Sequence, residues 1–378
     1  MRLSPFYIAS FIADIALGIV FLAIPLFAIK RFDASFLQLG YIGGFGALTY
    51  FLSVLLCGRL VDKISRKKVL ISACILYMVI YMSIPFVSSI RQIIYLHMVG
   101  SVAMAMFWPS IQSWIALGLD RTSLIRALSN FNVAWCAGLM VGTIAGGFLF
   151  EIGSTLPFFI GPILMGSIAL LLRRQPLILE VRGRGYADQT PDDLSPDCKK
   201  FLYIAWIANF VSWFIVGLNR HIFPRIATMI GFSPRVIGLI IFLMVSAQMV
   251  VFIMLGRSKK WHYRLGPIIA LQAIASWALI MAIMTDSPYI FGFAFILMGA
   301  SGGITYFSSI FYSLWAQADK GKKSGIHESF IGAGIFLGPL IGGIAAHNLG
   351  SRSPYVIALI LLLSAMVLEG RILARRNR

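Results

Sequence analysis

Acidic side chains are scarce in this chain. Its 378 residues include 14 Asp and Glu against 32 Lys and Arg, and charged residues of all kinds make up 12% of it. A soluble domain carries about 25% charged residues, so a water-exposed globular surface is excluded. The 4 cysteines, Cys57, Cys74, Cys136 and Cys198, are isolated, with neither the even framework of a disulfide scaffold nor the close spacing of a metal site. No G-x-x-x-x-G-K-[ST] phosphate loop occurs, so ATP is not the expected drive. Paired carboxylates and a nucleophile set are also missing, so neither an enzyme nor a cofactor or metal is expected. Long alternating polar–apolar strands are absent, which rules out a transmembrane barrel.

What fills the chain is hydrocarbon, at 59% hydrophobic residues. Apolar runs cover 5–29, 36–57, 69–88, 93–117, 128–150, 154–172, 201–219, 235–255, 265–284, 288–315, 327–347 and 354–370. Each has about the 17–25 residues that a membrane-crossing helix needs, so the expectation is an all-α membrane protein with twelve spans. The first run is longer than a secretory signal and no small-residue cleavage site follows it, so it counts as a span.

The formal charge of +18 invites a nucleic-acid reading, but its placement answers otherwise. With the N-terminus inside, only Lys30, Arg31, Arg91, Arg220, Arg225, Arg235 and Arg352 fall on the outer side, and every other Lys and Arg lies in a cytoplasmic segment. Positive charge on the cytoplasmic ends is the topology signal of a multi-pass protein. Both termini are therefore expected in the cytoplasm of a cell membrane, with lipid as the partner and no nucleic acid.

The longest polar stretch, 173–200, divides the chain almost in half and reads as a cytoplasmic linker between residues 1–172 and 201–378, each a bundle of six helices. The halves echo one another. "GLMVGTIAGG" (138–147) in the fifth run and "GIFLGPLIGG" (334–343) in the eleventh share the frame G-x-x-x-G-x-x-x-G-G. Pro25 near the end of the first run matches Pro224 after the seventh, and "GRLVDKISRKK" recurs in degraded form as "GRSKKWHYR" (256–264). An internal duplication explains all three.

The stretch "GRLVDKISRKKVL" (58–70) resembles the G-x-L-a-D-r-x-G-r-[RK] motif between the second and third helices of the major facilitator superfamily. Gly58, Leu60, Asp62, Lys63, Arg66 and Lys67 fall on the pattern, while Ser65 stands where its second glycine usually is. The resemblance implies two pseudo-symmetric six-helix bundles with a substrate site near the midplane between them, and alternating access. It also implies a cytoplasmic gate formed by Gly58, Asp62, Lys63, Arg66 and Lys67; a plain positive-inside anchor is the alternative. His327 and Glu328, leading into the eleventh run, are added to that gate, with helix capping as the competing reading. The superfamily's drug/proton antiporters carry G-x-x-x-G-P-x-x-G-G in the fifth helix. Here Thr143 replaces that proline, and the full version lies in the eleventh run. Gly138, Gly142, Gly146, Gly334, Gly338, Pro339 and Gly342 are thus expected to bend helices, or else to let them pack closely.

An ionisable group inside a span is costly and marks function by default. Asp14 is read as the only mid-span acid. It lies about nine residues into the first run, roughly 13 Å deep at ~1.5 Å per residue, and is the expected proton-coupling group. Trp213 is its counterpart when residues are counted back from the matched prolines. Asn209 and Trp213 lie four apart on one helix face, as do Trp108 and Gln112; these four are the expected lining of a substrate cavity. No Arg or Lys occupies a span centre, which disfavours phosphorylated or carboxylated substrates. A monomeric, proton-coupled exporter of a neutral or cationic amphipathic compound is expected. The alternative is a proton symporter or facilitator importing a neutral polar solute such as a sugar or nucleoside.

Overall fold

A computed structural model describes residues 4–61, 65–115, 121–173, 196–258, 260–315 and 320–374. Asp62, Lys63 and nearly all of the 173–200 linker lie outside these residues. The described chain is helical: α1 (Ser4–Phe32), α2 (Phe36–Val61), α3 (Arg66–Met82), α4 (Ile90–Ile115), α5 (Arg121–Ile152), α6 (Pro157–Arg173), α7 (Pro196–His221), α8 (Phe223–Met229), α9 (Pro234–Arg257), α10 (Leu265–Met284), α11 (Pro288–Trp315), α12 (Lys320–Leu349) and α13 (Ser353–Ala374). Eleven stretches among them are long and apolar enough to cross a membrane, and Pro157–Arg173 is a shorter apolar helix in the place of the sixth span. The short α8 is the extra element. It arises because the chain breaks at Ile222 and restarts with Pro224 in its first turn, where proline lacks the N–H that a continuing helix would need. Pro25, its sequence counterpart, sits inside the unbroken α1.

The chain forms two compact units, one of Met1–Tyr186 with Ser233–Phe242, the other of Ala187–Phe232 with Leu243–Arg378. Their internal packing repeats. In the first, α1 packs on α5 and α6, and α3 on α4 and α6; in the second, α7 packs on α12 and α13, and α10 on α11 and α13. The pairing of α2 with α4 has its counterpart in α9 and α11, where a Cβ added to Gly299 would lie 2.0 Å from the Met244 carbonyl oxygen. Apolar surface gains nothing by moving from lipid to another apolar helix, so small residues that admit close backbone approach hold such bundles together. The first turns of α9 belong to the first unit by the same device: a Cβ on Gly238 would meet the Thr143 carbonyl oxygen at 2.6 Å. Arg235 there pairs with Glu151 at 3.1 Å and lies over the Phe148 ring. Gly350, at φ +100, adopts the left-handed conformation that ends α12.

Candidate functional site

In the first unit, the site grows from the contact of α5 with α1. Gly138, Gly142 and Gly146 are spaced one turn apart and so face the same way. A Cβ on Gly138 would lie 2.2 Å from the Phe11 carbonyl oxygen and 2.9 Å from Asp14 Cβ; one on Gly142 would lie 2.5 Å from the Ile15 carbonyl oxygen, and one on Gly146 3.0 Å from Ile19 Cα. The two backbones touch where only hydrogen fits. Asp14, 5% exposed, is seated at the first of these crossings. Tyr77 donates its hydroxyl to the Ala16 carbonyl at 3.4 Å and lies tilted against Tyr81 with ring centroids 4.4 Å apart. The Tyr81 hydroxyl meets His97 Nδ1 at 3.0 Å. Both rings occupy slots that glycines leave open: a Cβ on Gly46 would be 2.4 Å from His97 Cδ2, and one on Gly100 2.4 Å from Tyr81 Cζ.

The second unit repeats the frame with different chemistry. A Cβ on Gly334 would lie 2.8 Å from both the Phe210 carbonyl oxygen and Trp213 Cβ, and one on Gly338 2.2 Å from the Phe214 carbonyl oxygen. Phe210, Trp213 and Phe214 thus stand to α12 as Phe11, Asp14 and Ile15 stand to α5, and Gly217 meets α12 as Gly18 meets α5. The proline count paired Asp14 with Trp213, and the glycine contacts pair them again. Trp213, 8% exposed, stands edge-on to Tyr306 at 6.0 Å, with the Arg220 guanidinium over its ring. Tyr306 in turn touches His327 at 5.3 Å, and His327 Nδ1 meets the Ser309 hydroxyl at 2.7 Å. One turn before Trp213, Asn209 is fully buried, and neither of its amide atoms has a hydrogen-bond partner among the described residues. Ser212 accepts a hydrogen bond from Thr305 at 2.8 Å, tying α7 to α11 beside this group.

The other expected site residues lie apart from these groups. Trp108 is half-buried on α4 between Phe107 and Phe131, and Gln112, a turn further on, is exposed. Of the motif loop, Gly58 and Arg66 fall in helices, and Lys67 donates to the Arg173 carbonyl at 2.8 Å, placing a cation on the last residue of α6. His327 and Glu328 part company: the first is buried with Tyr306 and Ser309, while the second is exposed. Asp14 does not remain the only acid buried in a span. Glu369 is 0% exposed in α13, which runs on to Ala374, whereas the apolar run from sequence stops at 370. Tyr77, Tyr81 and Glu369 were missed. Glu369 carried a signal, since it continues the buried stripe Ala358, Leu362, Ala365 at helical spacing.

The repeated six-helix packing has a counterpart among known proteins. The Major Facilitator Superfamily model matches residues 6–314 and 205–377. The chain belongs to the major facilitator superfamily. Relatives include "Multidrug resistance protein 2" of Bacillus subtilis (strain 168), 21% identical over 370 residues that cover 92% of this chain and 89% of the relative. "Multidrug resistance protein 1" of the same organism is 23% identical, with 88% and 87% covered. Among solved structures, the nucleoside transporter NupG superposes with a TM-score of 0.76 at 13% identity over 100% of both chains. A bacterial homologue of the human lysosomal transporter Spinster, inward-facing and occupied, superposes at 0.67 with 15% identity, covering 97% of this chain and 94% of that one. As a superfamily member, the chain is a multi-pass membrane transporter of small molecules.

Proposed function

We propose that this transporter is a proton-coupled exporter of a neutral or cationic amphipathic compound, working by alternating access, with Asp14 as the group that takes up and releases the proton. The observation that carries this reading is the pairing of Asp14 with Trp213 at equivalent places of the duplicated frame. One carboxylate and one aromatic wall suit a single proton exchanged against a flat, weakly polar or cationic substrate. Asn209, Trp213 and Tyr306 form the binding surface in the second unit, and Trp108 and Gln112 contribute in the first. The likeness to two multidrug resistance proteins supports export. Gly58, Asp62, Lys63, Arg66, Lys67, His327 and Glu328 form the cytoplasmic gate, and of the two uses expected for the glycine frame, close packing of helices is the one its backbone contacts support. The monomer sits in the cell membrane with both termini in the cytoplasm, its halves 1–172 and 201–378 joined by 173–200.

A second reading, proton-coupled import of a neutral polar solute such as a nucleoside, draws on Asn209. Its buried amide offers both a donor and an acceptor, which is what a polar solute uses. One experiment separates the two. Proteoliposomes with an imposed pH gradient are supplied with cationic amphipathic dyes or with radiolabelled nucleosides. Export predicts uphill movement of dye against the proton flow; nucleoside moving with the protons, and no dye movement, overturns it.

A further inference from the structure

Outside the residues assigned to transport, α10 and α13 bury two polar side chains against each other. Gln272 lies on the α10 stripe with Ile268, Ala275, Ser276 and Leu279, and Glu369 on the α13 stripe with Ala358, Leu362 and Ala365. Both are 0% exposed. Gln272 Nε2 donates to Glu369 Oε1 at 2.9 Å. Gln272 Oε1 and Glu369 Oε2 are left over, both buried and both without a hydrogen-bond partner among the described residues.

Two leftover acceptors do not bond each other, but a single proton between them changes that. A carboxylate in apolar surroundings without a cation is so costly that the group neutralises instead. Among the described residues Glu369 has no ion-pair partner. The elements packed against α13 are α7, α10 and α12. On α10 there is no ionisable side chain. Beside this end of α13, α7 presents Ile204 and Ala208, with Ile268 of α10 and Ile372 completing an apolar cluster. On α7, Lys199 is exposed and Lys200 half-buried, with Arg220 and His221 at the opposite end of the helix; on α12, Lys323 is half-buried, Glu328 and His347 are exposed and His327 is engaged by Ser309; Arg371, two residues along α13, is exposed.

We infer that Glu369 is a resident proton site: the neutral acid donates Oε2–H to Gln272 Oε1 while Gln272 Nε2 donates to Glu369 Oε1. An amide and a carboxylic acid joined in this way make a ring of two hydrogen bonds. The terminal torsions of Gln and Glu are broad and let the two planes turn to meet. The ring satisfies all four facing atoms and leaves no charge inside the helix pair. Exchanging the amide nitrogen and oxygen of Gln272 does not remove the need for the proton, because the pair still holds one amide donor group against three oxygens. The proton belongs to the helix contact and stays on throughout transport, unlike the one proposed for Asp14.

Glu369→Gln tests this directly, because an amide at 369 donates to Gln272 Oε1 and accepts from Gln272 Nε2 in the same ring. The variant and the unaltered transporter are purified into lipid and compared by infrared difference spectroscopy, thermal unfolding and gradient-driven flux. Expected are loss of one protonated-carboxyl carbonyl band in the variant, an unchanged melting temperature and unchanged flux. Gln272→Leu, which strands the acid, lowers the melting temperature by several degrees. Loss of a carboxylate band instead, an Glu369→Gln protein that unfolds or melts early, or a folded Glu369→Gln protein without proton-driven flux would each overturn the inference.

Discussion

At the scale of single residues, Asp14 and Trp213 show how one frame carries two chemistries. Each stands where the first glycine of the frame presses α5 or α12 against its partner, so the backbone geometry is shared and only the side chain differs. Asp14→Asn keeps the shape and hydrogen-bonding capacity of the neutral acid but cannot cycle a proton. Uphill transport driven by a pH gradient should vanish in liposomes, while exchange of substrate down its own gradient survives in part. Undiminished uphill transport would remove Asp14 from the coupling role. Trp213→Ala removes an aromatic wall of a kind worth about 0.5–2 kcal/mol to a cation, so substrate affinity measured by binding or by KM should fall by roughly twofold to thirtyfold. Gln112→Ala, at an exposed position of the proposed binding surface, should lower it by less than Trp213→Ala. Asp14 was legible in the sequence because an acid in an apolar run needs a reason. The Tyr81–His97 pair was not, because its partners sit on different helices and nothing in either apolar run names the other.

At the scale of elements, the glycine frame was legible as a pattern but not as a use. The sequence reading set helix bending beside close packing, and α5 runs unbroken through Gly138, Gly142 and Gly146 with each at a backbone contact. Gly338→Ala would place a methyl group 2.2 Å from the Phe214 carbonyl oxygen, an overpacking that costs about 1–3 kcal/mol. Its melting temperature should drop. Gly256→Ala on α9 meets nothing within 4 Å and should leave it unchanged or slightly raised. A Gly338→Ala protein as stable as the unaltered one would mean that α7 and α12 are not held at this contact. The apolar runs located the helices because lipid demands about 20 such residues in a row. They stopped at 370, before the exposed Arg371, although α13 runs on to Ala374. They also did not show that the seventh span breaks before Pro224, while α1 carries Pro25 without interruption.

At the scale of the whole molecule, duplication was legible from three fragments, and the packing order of the two units extends it to every helix pair named above. Asp62 and Lys63 of the motif loop lie outside the described residues. Asp62→Asn should leave the protein inserted but alter cytoplasmic labelling of introduced cysteines and slow transport; unchanged labelling and rate would make the loop a simple anchor. Reporter proteins fused to either terminus should be active only on the cytoplasmic side, as the distribution of Lys and Arg requires. The glycine crossings bear on something beyond stability. A joint made from main-chain atoms asks nothing of the side chains on the opposite faces of the same helices. Those faces can be replaced residue by residue without loosening the joint, and so a scaffold of this kind can change its cargo while its architecture stands still.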